Sequence, residues 1–232
     1  VTNGIVHLEK GDLLLIDKPT GWSSFDVVKK VRWAAPNRKA GHAGTLDPLA
    51  TGLLLVCTGA QTKNIDQLQS LPKVYEAVLK FGFVTQSYDA EMPETPFGTD
   101  KHIDIHKLEE ALQSFVGIIE QVPPLFSAVK IDGERAYKVA RRGEQKTLNA
   151  RPVTIHSIKL LHFDMPFATI EIICGKGTYI RSIVHDLGQS LGCGAYMTSL
   201  KRTSIGPYHL RYAQSPQAIC DYFNAYGSLP RP

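Results

Sequence analysis

Between two short apolar runs, residues 13–16 and 53–57, the chain carries Pro36, Asn37, Gly41, Gly44, Pro48 and Gly52. Punctuation this dense is incompatible with a regular element across 36–52 and predicts a loop. Long loops inside compact domains are uncommon and tend to carry function. Any fold open to this chain must therefore present the loop from a rigid scaffold. The flanking runs have the length and character of buried strands. Ser23 and Ser24 offer N-caps for a helix over 25–33, with Asp26 in its first turn to complement the helix dipole.

Further along, residues 61–71 read as helical. From 74 to 81 the odd positions Tyr75, Ala77, Leu79 and Phe81 are apolar or aromatic, the period of a half-buried strand that begins near Tyr75. Leu108, Ala111, Leu112, Phe115 and Val116 predict a helix over 104–116, with Gly117 as its cap. A short basic helix is expected over 134–142. Residues 153–163 and 168–174, rich in β-branched side chains and partly alternating, predict a pair of antiparallel strands. Helical spacing returns over 178–191, with Gly192 beyond its end. Helices and strands come in runs without strict βαβ alternation, and no linker or repeat divides the sequence. One mixed α+β domain covering 1–232 is the expectation.

The charge is unevenly distributed. Residues 121–211 hold 13 basic and 6 acidic side chains, whereas 89–110 hold 7 acidic and 2 basic ones. A phosphate-rich partner would meet the first region and avoid the second. No apolar run approaches the roughly 20 residues that cross a bilayer. The N-terminus, which begins at Val1, lacks a basic segment followed by an apolar stretch, so the chain is read as cytoplasmic. Cys57, Cys174, Cys193 and Cys220 have no CxxC spacing and read as reduced, buried thiols.

His102 and His106 are four apart, but the glutamate of an HExxH site is missing and no third ligand is near in sequence. A solvated helix start is the better reading, and a metal-dependent hydrolase the weaker one. Neither a GxxxxGK[ST] nor a GxGxxG phosphate loop occurs, and GxSxG is absent. What remains is the loop GHAGTLDPLATG over 41–52. Asp47 precedes a proline, which has no N–H to cap its carboxylate, so the carboxylate is left available. Three glycines allow close backbone approach, and His42 and Thr45 bring hydrogen-bonding groups. A second segment, GKGTYIRS over 175–182, places Arg181 in the first turns of a helix behind another glycine-rich entry.

The segments GHAGTLDPLATGLL, KVYEAVLKFGFVTQSYDAE, PPLFSAVKIDGERAYKVARRG and GKGTYIRSIVHDLGQSLG, in this order, resemble the TruB family of tRNA pseudouridine synthases. The resemblance runs from about Gly11 to about Pro207. It implies the pseudouridine-synthase fold, a long mixed and mostly antiparallel sheet flanked by helices, working without metal or organic cofactor. It also implies isomerisation of uridine 55 in the T arm of tRNA: the bond from sugar carbon 1 to base nitrogen breaks and re-forms to base carbon 5. Transfer of the family's residues makes Asp47 the catalytic aspartate, attacking either base or sugar. Arg181 becomes its basic partner and Tyr75 the tyrosine that packs on the target base. Tyr179 and Leu200 fall at substrate-pocket positions, and His42 at the histidine that holds the T loop open. Residues 123–152 match an insertion that closes over the RNA stem-loop. Lys130, Arg141, Arg142 and Arg202 are the expected phosphate contacts. Ala43 stands where the commoner family form has threonine. About 25 residues follow Pro207, too few for the PUA-type RNA-binding module of many relatives. No obligate protein partner is expected. A protein that folds RNA without catalysis, and a relative acting on other RNAs, are the alternatives.

Overall fold

The structure, a computed structural model, describes residues 4–8, 11–35, 39–99, 103–127, 129–131, 133–136, 139, 142, 146 and 148–226. In chain order the first described elements are β1 (Ile5–Leu8), β2 (Gly11–Lys18), α1 (Ser24–Ala34), β3 (Ala40–His42), β4 (Thr51–Thr58) and α2 (Ile65–Ser70). Next come β5 (Lys73–Phe81), β6 (Phe83–Val84), β7 (Thr95–Pro96), α3 (Ile105–Gln113), β8 (Gly117–Gln121), β9 (Lys130–Ile131) and β10 (Glu134–Arg135). The last are β11 (Arg151–Asp164), β12 (Phe167–Cys174), α4 (Ile180–Ser190), β13 (Ala195–Ile205), β14 (Tyr208–His209) and α5 (Pro216–Tyr226). This is an α+β chain with a large mixed, mostly antiparallel sheet and flanking helices. It divides into two compact units, Val1–Tyr75 with Leu200–Pro232, and Glu76–Ser199.

In the first unit the strands lie in the order β1-β2-β4-β13, with β3 on β4 and β14 on β13. Its β4–β13 pair is parallel, with Arg202 opposite Gly52. Gly52 has φ 95°, and a Cβ there would strike the Arg202 backbone, so only glycine lets the two strands meet at this register. Successive β2 side chains point to opposite faces. Leu14 and Ile16 pack with Val27, Val28 and Val31 of α1 and Ile219 and Phe223 of α5, whereas Leu13 and Leu15 pack with Leu53, Leu55 and Ala43. Each fully buried aliphatic side chain contributes about 1.5 to 3 kcal/mol. As the serines predict, α1 starts in a capping box: the Ser23 hydroxyl accepts from Asp26 N–H, and the Asp26 carboxylate accepts from Ser23 N–H.

The second unit orders its strands β13-β5-β12-β11-β8. Tyr75, Ala77, Leu79 and Phe81 are the buried face of β5, as their period requires. β11 and β12 pair antiparallel, and the reason their alternation is only partial is visible in the register. It slips between Ile155 and Ser157 and again between Leu160 and His162. These bulges insert one residue each, which brings Ile155 and Ile158, three apart, to the same buried face.

Several expectations need correction. The helix expected over 104–116 ends at Gln113, and Gly117, with φ 114°, opens β8 instead of capping it. Of the helix expected over 134–142, Ala136 and Val139 are helical, but Glu134 and Arg135 instead pair antiparallel with Ile131 and Lys130. The physical reason is Gly133, whose φ of 87° supplies the tight turn that an Asp-Gly pair favours. The helical reading of 61–71 begins as a 3-10 turn over Gly59–Asn64 before α2. β13 and α5 had no counterpart in the reading of the sequence. No helix among the described residues is long and apolar enough to cross a membrane.

Candidate active site

In the first unit, the loop carrying Asp47 is held by its backbone on both sides of the aspartate. The Ser24 hydroxyl accepts from Leu46 N–H at 2.8 Å and lies 3.1 Å from Leu46 O, to which it donates. On the other side Pro48 O accepts from Gly21 N–H at 2.8 Å and from the Lys18 ammonium at 3.2 Å. Lys18 is fully buried, and its ammonium also donates to Pro19 O at 3.0 Å and Trp22 O at 2.5 Å. A buried cation is tolerated only when its N–H groups find acceptors, and three carbonyls supply them here. Ala50 N–H closes the turn onto Asp47 O at 3.1 Å. Asp47 itself is half-buried. Pinning both neighbours fixes the backbone from which the half-buried Asp47 side chain departs.

Arg202 holds the other end of this loop. It is 1% exposed, with Nε donating to Leu53 O at 2.7 Å and Nη2 to Gly44 O at 3.1 Å. Nη1 lies 3.4 Å from the Tyr75 hydroxyl, and the guanidinium sits 5.9 Å from the Tyr75 ring centre. The expectation that Arg202 meets an RNA phosphate is corrected: its guanidinium is turned inward onto protein carbonyls. Tyr75 is 8% exposed and Leu200 7%. Alternation along β13 places Leu200 and Arg202 on one buried face, with Lys201 outward. His42 is half-buried in β3, opposite Val56. Burial, then the Arg202 charge, pull its pKa below the usual value, against a weaker opposing hydrogen bond to the Gly44 backbone. The shift favours the neutral imidazole. Ala43 is fully buried among the leucines that line this loop.

In the second unit Arg181 is 3% exposed. Its Nη1 lies 3.5 Å from Asp89 Oδ2 and donates to Ser87 O at 3.0 Å, and Nη2 donates to Phe126 O at 3.1 Å. Tyr179 is the N-cap residue of α4, half-buried, with the Arg151 guanidinium 5.1 Å from its ring centre. Asp186 on α4 is pushed up to about 6 by burial. Of the remaining expected phosphate contacts, Arg142 is exposed and forms a two-pronged ion pair with Glu134, at 2.7 Å for each prong. Lys130 lies in β9 by its backbone, and Arg141 falls outside the described residues, as does His102. No three His, Cys, Asp or Glu side chains cluster as a metal site among the described residues.

The structure thus joins Tyr75, Arg202 and the Asp47 loop in one unit, and Arg181 with Asp89 in the other. Lys18, Asp89 and Gln121 were not singled out in the sequence, and Ser24 was read there only as a helix cap. For Lys18 a signal was present: in β2 it shares the phase of Leu14 and Ile16, so a strand long enough to include it must bury it.

Residues 32–180 match the model of the TruB family pseudouridylate synthase N-terminal domain. Residues 181–225 match that of the tRNA pseudouridylate synthase B C-terminal domain, which extends the likeness beyond Pro207 into α5. Among curated relatives, tRNA pseudouridine synthase B of Parabacteroides distasonis is 44% identical, over 91% of this chain and 93% of its own length. The same-named protein of Bacteroides thetaiotaomicron is 45% identical, over 94% and 95%. That of Pseudomonas aeruginosa is 48% identical, over 87% of this chain and 66% of its own. A chain in the crystal structure of a Cbf5-Nop10-Gar1 complex superposes with a TM-score of 0.74 at 28% identity, covering 96% of this chain. The present chain spans 57% of that one.

Proposed function

This chain belongs to the TruB family of pseudouridylate synthases and isomerises uridine to pseudouridine in tRNA, and from that premise we propose that its target is uridine 55 of the T arm and that Asp47 is the catalytic carboxylate. The observation that carries the second part is the pinning of Leu46 and Pro48, which fixes the backbone on both sides of Asp47 while leaving its side chain half-buried. This isomerisation exchanges a carbon–nitrogen and a carbon–hydrogen bond for a carbon–carbon and a nitrogen–hydrogen bond, the carbon 5 proton leaving to solvent and the base nitrogen taking one up, and needs no redox partner. An aimed anion is sufficient to attack the base or the sugar.

The uridine must leave its stack, at a cost of a few kcal/mol. Tyr75 is proposed to return part of that cost by stacking, at about 1 to 3 kcal/mol per base. Leu200 supplies an apolar wall two residues from Arg202, and Tyr179 completes the pocket residues carried over from the family. His42, whose burial favours the neutral imidazole, serves as a flat hydrogen-bonding side chain for the opened T loop rather than as a cation. Arg181, a buried and permanently charged group, is proposed as the basic partner that keeps the Asp47 carboxyl ionised against the field of the RNA. Lys130, Arg141 and Arg142 remain proposed phosphate contacts.

The test is release of tritium from carbon 5 of labelled T-arm RNA. Wild type should release it, and Asp47→Asn should bind the RNA with unchanged affinity while releasing none. Full release by Asp47→Asn refutes the role of Asp47. Binding without release by the wild type favours a protein that only folds RNA.

A further inference from the structure

Tyr179 sits where α4 begins, with extended backbone (φ −100°, ψ 109°) and no side-chain cap of its own. Its N–H cannot join the helix ladder, and its carbonyl has a lone pair to spare beyond the first helical bond, from Ile183 N–H at 3.3 Å. Both needs are met by one side chain 58 residues away. Gln121 Oε1 accepts from Tyr179 N–H at 2.8 Å, and Gln121 Nε2 donates to Tyr179 O at 3.0 Å. Gln121 is 1% exposed, so its carboxamide meets Tyr179 away from competing water. Directly opposite Gln121 in the β8–β11 register stands Arg151. Its Nη2 donates to Gly177 O at 2.7 Å, and its guanidinium lies over the Tyr179 ring. Gly177 takes φ 81°, the turn that brings the chain back onto this pair. Ser182 adds a bond from its hydroxyl to Val122 O at 2.9 Å.

We propose that Gln121 and Arg151, the cross-strand pair at the two ends of the 123–152 insertion, are positioning residues for Tyr179 in uridine isomerisation. Gln121 sets the height of the Tyr179 backbone above the end of β8, and Arg151 sets the tilt of its ring. The inference rests on the reading of Tyr179 as a pocket residue. It adds that the segment leaving the sheet at Gln121 and returning at Arg151 is tied to the pocket through side chains rather than through the covalent chain alone. A misplacement of about 1 Å in a reacting site costs on the order of a hundredfold in rate, which sets the scale of the effect.

The experiment is tritium release from tRNA by Gln121→Leu, Arg151→Met and Tyr179→Ala, singly and combined. Each of the first two should lower kcat about ten- to a hundredfold, with KM for tRNA changed less than about threefold and the thermal transition retained. In the Tyr179→Ala background, adding Gln121→Leu should cost less than about twofold, because residues acting as one unit are not additive. Fully multiplicative losses, or near wild-type kcat in both single variants, overturn the proposal. Should Gln121→Leu fail to fold, Gln121→Glu replaces it. Its ionised carboxylate accepts from Tyr179 N–H but has no donor for Tyr179 O, and protonation restores one. Its kcat relative to wild type should therefore rise as pH falls, and a flat ratio counts against the clamp. With 3-fluorotyrosine incorporated, the fluorine resonance of Tyr179 should move in both single variants. A wild type that releases no tritium refutes the functional reading, whereas an unmoved resonance refutes the positioning role.

Discussion

Replacing Arg202 by methionine separates two roles that a basic residue in an RNA enzyme can have. Its Nε and Nη2 make hydrogen bonds of 2.7 and 3.1 Å to Leu53 O and Gly44 O, and the 3.4 Å approach to Tyr75 is too long to count fully. A hydrogen bond from a charged donor contributes about 1.5 to 3 kcal/mol net, so two give about 3 to 6 kcal/mol. Methionine fills much of the arginine stem's volume and avoids the cost of burying a guanidinium, which lowers the expected loss to about 3 kcal/mol. Against a total stability of about 5 to 15 kcal/mol the variant still folds, with a clearly lower urea midpoint. Because Gly44 O loses its donor, the Asp47 loop loosens and kcat falls. The salt dependence of tRNA binding should not change. A phosphate contact would take about 0.9 off the slope of log K against log salt, and an inward-facing arginine takes off nothing. A variant within about 0.5 kcal/mol of wild type that binds tRNA with a shallower salt slope would refute the inward role and restore the phosphate contact.

Two further outcomes follow from the same geometry. Lys18→Met removes the ammonium from Pro19 O, Trp22 O and Pro48 O. Relief of the buried charge offsets much of the lost bonding, so unfolding free energy should shift by less than about 2 kcal/mol, while kcat drops about tenfold as the Asp47 loop is freed; a kcat within twofold of wild type would show that Lys18 does not hold the loop for catalysis. Asp186 has its folded pKa raised by burial from 3.8 to about 6. The stability this group allows is complete below about pH 4 and is lost as pH rises through about 6. The ceiling is about 3 kcal/mol, reduced to about 1 kcal/mol for a half-buried group in contact with solvent. Asp186→Asn should therefore exceed wild type by about 1 kcal/mol at pH 7.5 and match it at pH 3.5 in urea titrations. A gain of equal size at both pH values would contradict the assignment.

Local pattern accounts for much of this chain. Ser23 and Asp26 define the start of α1 because the capping box is made within four residues. The alternation of Tyr75, Ala77, Leu79 and Phe81 defines the inner face of β5 because strand phase is a property of the chain itself. The density of glycine and proline over 36–52 located the candidate loop, although Ala40–His42 within it pairs as β3. The motif resemblance then named Asp47, Tyr75 and Arg181. β13 was missed because AYMTSLKRTSI carries threonine, serine and arginine at strand positions and shows no apolar alternation. The carbonyls its inward Arg202 meets, Leu53 O and Gly44 O, lie about 150 residues back along the chain.

Sequence alone singled out Asp47 as the proposed carboxylate, since the motif resemblance that names it lies in one contiguous segment, GHAGTLDPLATG. How the loop that carries it is held was decided only by the tertiary structure. Lys18, Ser24 and Arg202 reach the loop from two strands and a helix, and a buried ammonium, hydroxyl or guanidinium is stable only where the folded chain brings a carbonyl or N–H within about 3 Å. No spacing in the linear chain records such a meeting. The same holds for Gln121 and Arg151, whose register across β8 and β11 puts both on the residues leading into α4.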